Sequence, residues 1–130
     1  SYGDLYVFIN INNHKLFQRE RDNIICDVAI PFTTAALGGK IEVPTIEKKM
    51  VNVSIPKGMQ SGHKLRIKEK GMSILRTDRR GDMIVRVHAE TPVNLSSEQE
   101  QLLNKFNDSL TKKNSTMSEG FFDKVKKMFN

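Results

Sequence analysis

The sequence predicts a mainly β fold: a small antiparallel β-sandwich or meander domain with a short helix after the first core strand and helices at the C-terminus. Three observations carry that expectation. Between Lys40 and Gly71, apolar residues recur at every second position in three short runs: Ile41 and Val43, then Met50 or Val51 with Val53 and Ile55, then Leu65 and Ile67. Such alternation marks strands with one buried face. The breaks between them carry turn chemistry, first Glu47-Lys48-Lys49, then Pro56-Lys57-Gly58 and Ser61-Gly62. From Leu95 onward the apolar spacing changes to that of a helix.

Size and composition bound what this fold can do. At 130 residues the chain has the length of one ordinary domain with a short appendage. With no Trp and seven Phe, its core must be built from Ile, Val, Leu and Met. No apolar run approaches the roughly 20 residues a membrane-spanning helix requires, and the first residues lack the basic-then-apolar pattern of a signal peptide. A single cysteine, Cys26, excludes an internal disulfide and a multi-cysteine zinc site. It is compatible with a reducing compartment, and the expected location is cytoplasmic. The net charge of +6 is unevenly placed: Lys40 to Arg80 holds eleven Lys or Arg against four acids, hence +7. A basic region of this kind suits nucleic acid or an acidic surface, or is simply the solvated face of exposed strands and turns. No aromatic residue interleaves the basic positions, which argues against a stacking platform for single strands.

The elements follow in order. Leu5 to Ile11 is a β-rich run opened by Gly3-Asp4, and Asn12 to Asn23 reads as a polar loop in which Phe17 plugs against the sheet and Arg19 pairs locally with Asp22. An exposed pair of that kind contributes about 0–1 kcal/mol. His14, His63 and His88 are each solitary, with no second ligand at metal spacing. Asn23 to Ile30 is a strand with Ile24, Cys26, Val28 and Ile30 on one face, so Cys26 reads as a small core residue. Pro31 stops it. Phe32 to Leu37 forms one or two helical turns closed by Gly38-Gly39. After the central strands, Met72 to Arg80 is a basic loop where Lys68, Lys70, Arg76, Arg79 and Arg80 are candidates to gather, and Met83 to Ala89 is the last long strand.

Leu95 to about Lys113 is the clearest helix. Ser96 or Ser97 caps it, with Gln99 or Glu100 completing a capping box. Leu95, Leu102, Leu103, Phe106 and Leu110 form one apolar stripe. Asn114 to Gly120 reads as a linker. Phe121 to Phe129 then places Phe121, Phe122, Val125, Met128 and Phe129 opposite Lys124, Lys126 and Lys127. So short a helix is marginal alone in water, and its apolar face is expected to dock on protein, a partner subunit or its own sheet, in preference to a membrane.

Several pieces together carry a family resemblance. They are Ala35-Ala36-Leu37-Gly38-Gly39 leading into Ile41-Glu42-Val43-Pro44-Thr45, then Ile55-Pro56-Lys57-Gly58-Met59-Gln60-Ser61-Gly62, Leu65-Arg66-Ile67-Lys68 and Lys70-Gly71. Gly3-Asp4-Leu5-Tyr6-Val7, His14, Phe17, Arg19, Asp22, Gly81-Asp82-Met83 and Glu90-Thr91-Pro92 support them. In this order and spacing the chain resembles the second C-terminal β-domain, with dimerisation helix, of DnaJ-type co-chaperones, whose bacterial members often end in a similar FFD-x-VKK-x-F segment. The sequence departs from the family at two turns, where a glycine is common in place of Lys48 or Lys49 and in place of Glu69.

The resemblance implies residues 1–12 as the end of a preceding β-domain and hinge, 13–94 as the second C-terminal β-domain, and 95–130 as dimerisation helix and amphipathic tail. It implies a fragment of a longer protein. The expected function is a C-terminal dimerisation and accessory client-binding module, assisting a DnaK-type chaperone in protein folding and stress response. The alternative is a basic β-domain that binds nucleic acid or acidic surfaces. Expected dimerisation residues are Leu102, Leu103, Phe106, Leu110, Phe121, Phe122, Val125 and Phe129; an expected client groove holds Phe32, Ile41 and Val43. Expected partners are a second copy, unfolded polypeptide clients and, in the full-length context, the DnaK-type chaperone, with no membrane. No catalytic motif is present: the chain lacks the His-Pro-Asp tripeptide of the J-domain and the CxxCxGxG repeats of the zinc module. No enzyme activity and no cofactor are expected of it, zinc belonging to the upstream part of the full-length protein.

Overall fold

A computed structural model of the chain describes residues 16–74 and 79–130. The expected strand from Leu5 to Ile11, His14 and Arg76 lie outside them. The chain divides into two compact units, with the boundary between Pro92 and Val93.

The first unit is built on two sheets. Strand β1 (Phe17–Glu20) and β2 (Asn23–Pro31) are followed by helix α1 (Phe32–Leu37), then β3 (Gly39–Pro44), β4 (Met50–Ile55), β5 (Lys64–Ile67) and β6 (Met83–Glu90). The larger sheet has the order β1-β2-β6-β5, and the smaller pairs β3 with β4. Antiparallel pairing joins β1 to β2, β5 to β6 and β3 to β4. The mainly β class with antiparallel pairs predominating is therefore as expected.

The core is where period-two alternation places it. On β2, Ile24, Cys26 and Ile30 are buried; on β6, Met83, Val85 and Val87; the second sheet adds Val43, Val53 and Ile55. Ala35 of α1 and the loop residues Ile46, Met59 and Met72 close the same cluster. A fully buried side chain of this size contributes about 1.5–3 kcal/mol, which is why the alternation decides the register. Cys26 lies inside this cluster, and its burial, with the Asp27 charge next to it, pushes the thiol pKa up. It is a packing residue, and its environment is the opposite of one that activates a nucleophile.

Three features differ from expectation. The three central runs do not form one meander, because β5 leaves β4 and pairs with β6. The connecting loop explains this. Gly58 and Met59 N–H donate to the Ala36 and Ala35 carbonyls at 3.0 and 2.9 Å, and Gly62 N–H donates to Val87 O at 2.7 Å. With Met59 buried as its anchor, the loop carries the chain across to the larger sheet. Second, the polar stretch before Asn23 contains a strand, β1, of which only Phe17 is buried; an edge strand with one inward side chain shows no alternation. Arg19 and Asp22 do approach, at 3.8 Å. Third, β2 and β6 run parallel, from Ile24 opposite Met83 to Pro31 opposite Glu90. A parallel pair needs a long crossover, which residues 32–82 supply.

Where β2 meets the 71–82 segment, the backbone is tightly knotted. Met72 N–H donates to Asp22 O, Gly71 N–H to Gly81 O, and Gly81 N–H to Met72 O, each at 2.8 Å. Ile24 N–H donates to Asp82 O at 2.9 Å, and Asp82 N–H to the Asn23 side-chain oxygen at 2.8 Å. Gly71 and Gly81 are both buried here.

In the second unit, α2 (Ser97–Ser109) carries the expected capping box: Ser96 Oγ accepts from Gln99 N–H and Gln99 Oε1 from Ser96 N–H. It ends earlier than the apolar spacing suggests, because Asn114 Oδ1 accepts from Thr111 N–H and turns the chain. Helix α3 (Thr116–Met128) begins inside the stretch read as a linker. Met117 extends the apolar stripe backward, and Gly120 lies inside the helix at a cost of about 1 kcal/mol.

Candidate interaction surfaces

The second unit presents apolar residues to water. Neither α2 nor α3 contains a buried residue. On α2, Leu102, Phe106 and Leu110 are exposed and Leu103 is half-buried. At about 100° per residue these four fall within an arc of roughly 100°. On α3, Phe121, Phe122 and Phe129 are exposed, the last at 82%, and Val125 is half-buried. The rings of Phe121 and Phe122 meet edge to face with centroids 5.4 Å apart, an arrangement that keeps both on one side of the helix. Charge follows each helix. The first turn of α2 holds Glu98 and Glu100, and the last turn of α3 holds Lys126 and Lys127, both favourable to the helix dipole. In all, α2 carries three acids against one lysine, and α3 three lysines against two acids.

In the first unit the three expected groove residues separate. Phe32, the first residue of α1, and Ile41 on β3 are half-buried, whereas Val43 is 1% exposed and belongs to the core. Ile41 lies opposite Val53 and Val43 opposite Val51. Among the described residues β3 has only β4 as a strand neighbour, and no described strand pairs with its other edge.

The basic stretch is partly neutralised from within. Arg66 lies 2.5 Å from the Asp82 carboxylate. Lys70 and Arg80 both reach Glu47, at 3.9 and 3.8 Å, and Arg80 also donates twice to Gly71 O. Of the residues expected to gather near the 72–80 loop, these two converge. The Asp82 carboxyl is held below the usual carboxylate range by the Glu69 N–H and then by Arg66.

One cluster has no signal in the local sequence. Asp27 of β2 accepts from Arg86 Nε and Nη2 at 2.5 and 2.8 Å, and His88 Nε2 lies 2.9 Å from the same carboxylate. The Arg86 hydrogen bonds, and then that of His88, hold the Asp27 carboxyl far below the usual range. The parallel register sets Asp27 beside Arg86, although 59 positions separate them. With a guanidinium filling the carboxylate, the group is an ion-pair network and not a ligand set. No group of three or more His, Cys, Asp or Glu among the described residues is arranged to hold a metal ion. No helix of the described residues is long and apolar enough to cross a membrane.

Comparisons with known proteins agree with this architecture. Residues 1–92 match the DnaJ C terminal domain family, and residues 98–130 match the Chaperone protein DnaJ C-terminal region. Chaperone protein DnaJ of Paramagnetospirillum magneticum is 52% identical over 130 residues, covering 98% of this chain and 34% of the relative. The protein of the same name from Rhodospirillum centenum is 50% identical over 127 residues, with the same coverage. That of Ruthia magnifica subsp. Calyptogena magnifica is 48% identical over 129 residues, covering 99% of this chain and 35% of the relative. The chain thus spans about a third of the length of the curated relatives it matches. These matches do not support the nucleic-acid alternative. By the family match across most of its length, the chain belongs to the DnaJ C-terminal domain family.

Proposed function

We propose that this chain is the dimerisation and accessory client-binding module of a cytoplasmic co-chaperone that assists a DnaK-type chaperone in protein folding and stress response. The observation that carries the reading is the second unit: two helices without a buried residue, each with an apolar stripe facing water. A stripe of this width needs a cover. A second copy of the chain fits it, since α2 carries an excess of acid and α3 an excess of lysine. Crossed pairing of α2 and α3 between two copies sets apolar against apolar and acid against base. Leu102, Leu103, Phe106 and Leu110 of one helix, and Phe121, Phe122, Val125 and Phe129 of the other, supply the contact.

Client binding uses the first unit. An extended client adds to the edge of β3 away from β4 through backbone hydrogen bonds, with Phe32 and Ile41 as the accessible apolar neighbours and Val43 as the buried support beneath them. Two such edges in one dimer raise avidity by effective concentration. The module acts by binding and needs no metal or nucleotide of its own.

Sedimentation equilibrium tests the reading. The chain is expected to be a dimer at micromolar concentration, and Phe106→Glu, Leu110→Glu or truncation after Ser118 is expected to give folded monomers. A dimer that survives all three changes places the interface elsewhere.

A further inference from the structure

The six methionines divide sharply by accessibility. Met59, Met72 and Met83 are core residues, the last fully buried, whereas Met117 and Met128 on α3 are 74% and 78% exposed. Met50, on β4, is also exposed. At about 100° per residue, Met117, Met128, Phe121, Val125, Phe129 and Phe122 fall in that order across an arc of roughly 140°. The two methionines therefore lie along the same border of the apolar face at its two ends, one in the first turn of α3 and one at its last residue, next to the polar flank that holds Lys124.

We infer that Met117 and Met128 form an oxidative modification site that loosens the contact made by α3; the inference rests on the dimer reading above. The step is a two-electron oxidation by a peroxide. With hydrogen peroxide, the thioether sulfur attacks one oxygen, an S–O bond forms as the O–O bond breaks, the departing hydroxide takes the proton of the transferred OH and leaves as water, and the sulfur becomes a sulfoxide. An unbranched apolar side chain is thereby turned into a polar one with a strong acceptor oxygen. At the border of an apolar contact that oxygen must stay hydrated, so the sulfoxide pulls the edge of α3 away from its cover. Border positions suit such a site, because reagent reaches them while Phe121, Val125, Phe129 and Phe122 carry the rest of the face. The buried methionines of the first unit have no comparable access, so its fold is spared.

The test treats the full chain with hydrogen peroxide, maps sulfoxides by peptide mass spectrometry and measures the dimer Kd by sedimentation equilibrium. Expected are rapid oxidation of Met117 and Met128, slow oxidation of Met59, Met72 and Met83, and a Kd raised roughly tenfold or more. The M117L/M128L double variant is expected to dimerise like the parent and to keep its Kd after treatment. It retains Met50, so that variant also reports any contribution from the first unit. Three results each overturn the inference: an oxidised parent with unchanged Kd, a double variant weakened as much as the parent, or core methionines oxidised as fast as those of α3. An untreated chain that is monomeric overturns the dimer reading itself, which an unchanged Kd does not.

Discussion

Gly81→Ala is the sharpest test of how the first unit is held together. Gly81 is not among the glycines with positive φ, so what its position requires is space. A methyl group built there overlaps both the carbonyl oxygen and the carbonyl carbon of Asp22. Relief demands that the β1–β2 turn and the 71–82 segment move apart by on the order of 1 Å, far outside the range that packed atoms tolerate. That movement breaks the register of three hydrogen bonds that join the two, Met72 N–H to Asp22 O, Ile24 N–H to Asp82 O and Asp82 N–H to the Asn23 side-chain oxygen. Overpacking alone costs about 1–3 kcal/mol, and each weakened hydrogen bond adds about 0.5–1.5 kcal/mol. A loss of about 3 kcal/mol is expected, lowering the Tm of the β unit by on the order of 10–20 °C. Thermal unfolding followed by circular dichroism measures it. Gly120→Ala is the matched control, since a Cβ there meets no atom within 4 Å and an alanine inside α3 is expected to stabilise that helix by about 0.5–1 kcal/mol. A Gly81→Ala protein within about 0.5 kcal/mol of the parent would refute the steric account of the knot.

Other outcomes follow from single features. Lys48 and Glu69 hold φ of 63° and 62°, a conformation that costs a side-chain-bearing residue about 1–2 kcal/mol; Lys48→Gly and Glu69→Gly are each expected to raise the urea midpoint, corresponding to about 1 kcal/mol. An unchanged or lowered midpoint at both would contradict the strain. The folded Asp27 carboxyl titrates far below its unfolded value, so its contribution is complete above about pH 4 and is lost as pH falls below it toward the folded value. Denaturation at pH 7, 4 and 2.5 is expected to show a steeper acid loss for the parent than for Asp27→Asn; parallel losses would remove Asp27 from the acid transition.

What was legible in the sequence is what local spacing encodes. The inward faces of β2 and β6, the packing role of Cys26, the bounds of α1 between Pro31 and Gly38, the Ser96–Gln99 capping box and the Arg19–Asp22 pair all lie within a few residues of their cause. The two turns where the family often has a glycine, at Lys48 or Lys49 and at Glu69, do adopt positive φ, at Lys48 and at Glu69. The rest depended on partners distant in the chain. Nothing near Lys64 says that β5 pairs with β6, because its course is set by the Gly58 and Met59 hydrogen bonds to α1. Asp27, Arg86 and His88 read separately as solvated residues until the parallel register brings them together. Of the expected groove, Val43 was indistinguishable from Ile41 by alternation, since both lie on the same face of β3. Their depth differs because the core closes over one end of the strand and not the other.

The parallel ladder between β2 and β6 has a consequence for how the protein comes into being. Every residue pair in it spans the same 59 positions, beginning with Ile24 and Met83. At synthesis rates of about 5–20 residues per second, β2 emerges roughly 3–12 s before the strand that flanks it. Throughout that interval β1 is the one strand partner of β2 among the described residues, and the Ile24, Cys26, Val28 and Ile30 row has no finished core to enter. Closing so long a connection is a slow, non-local step, and it cannot begin before β6 is made. During its own birth the chain thus passes through a state in which an apolar strand stands open.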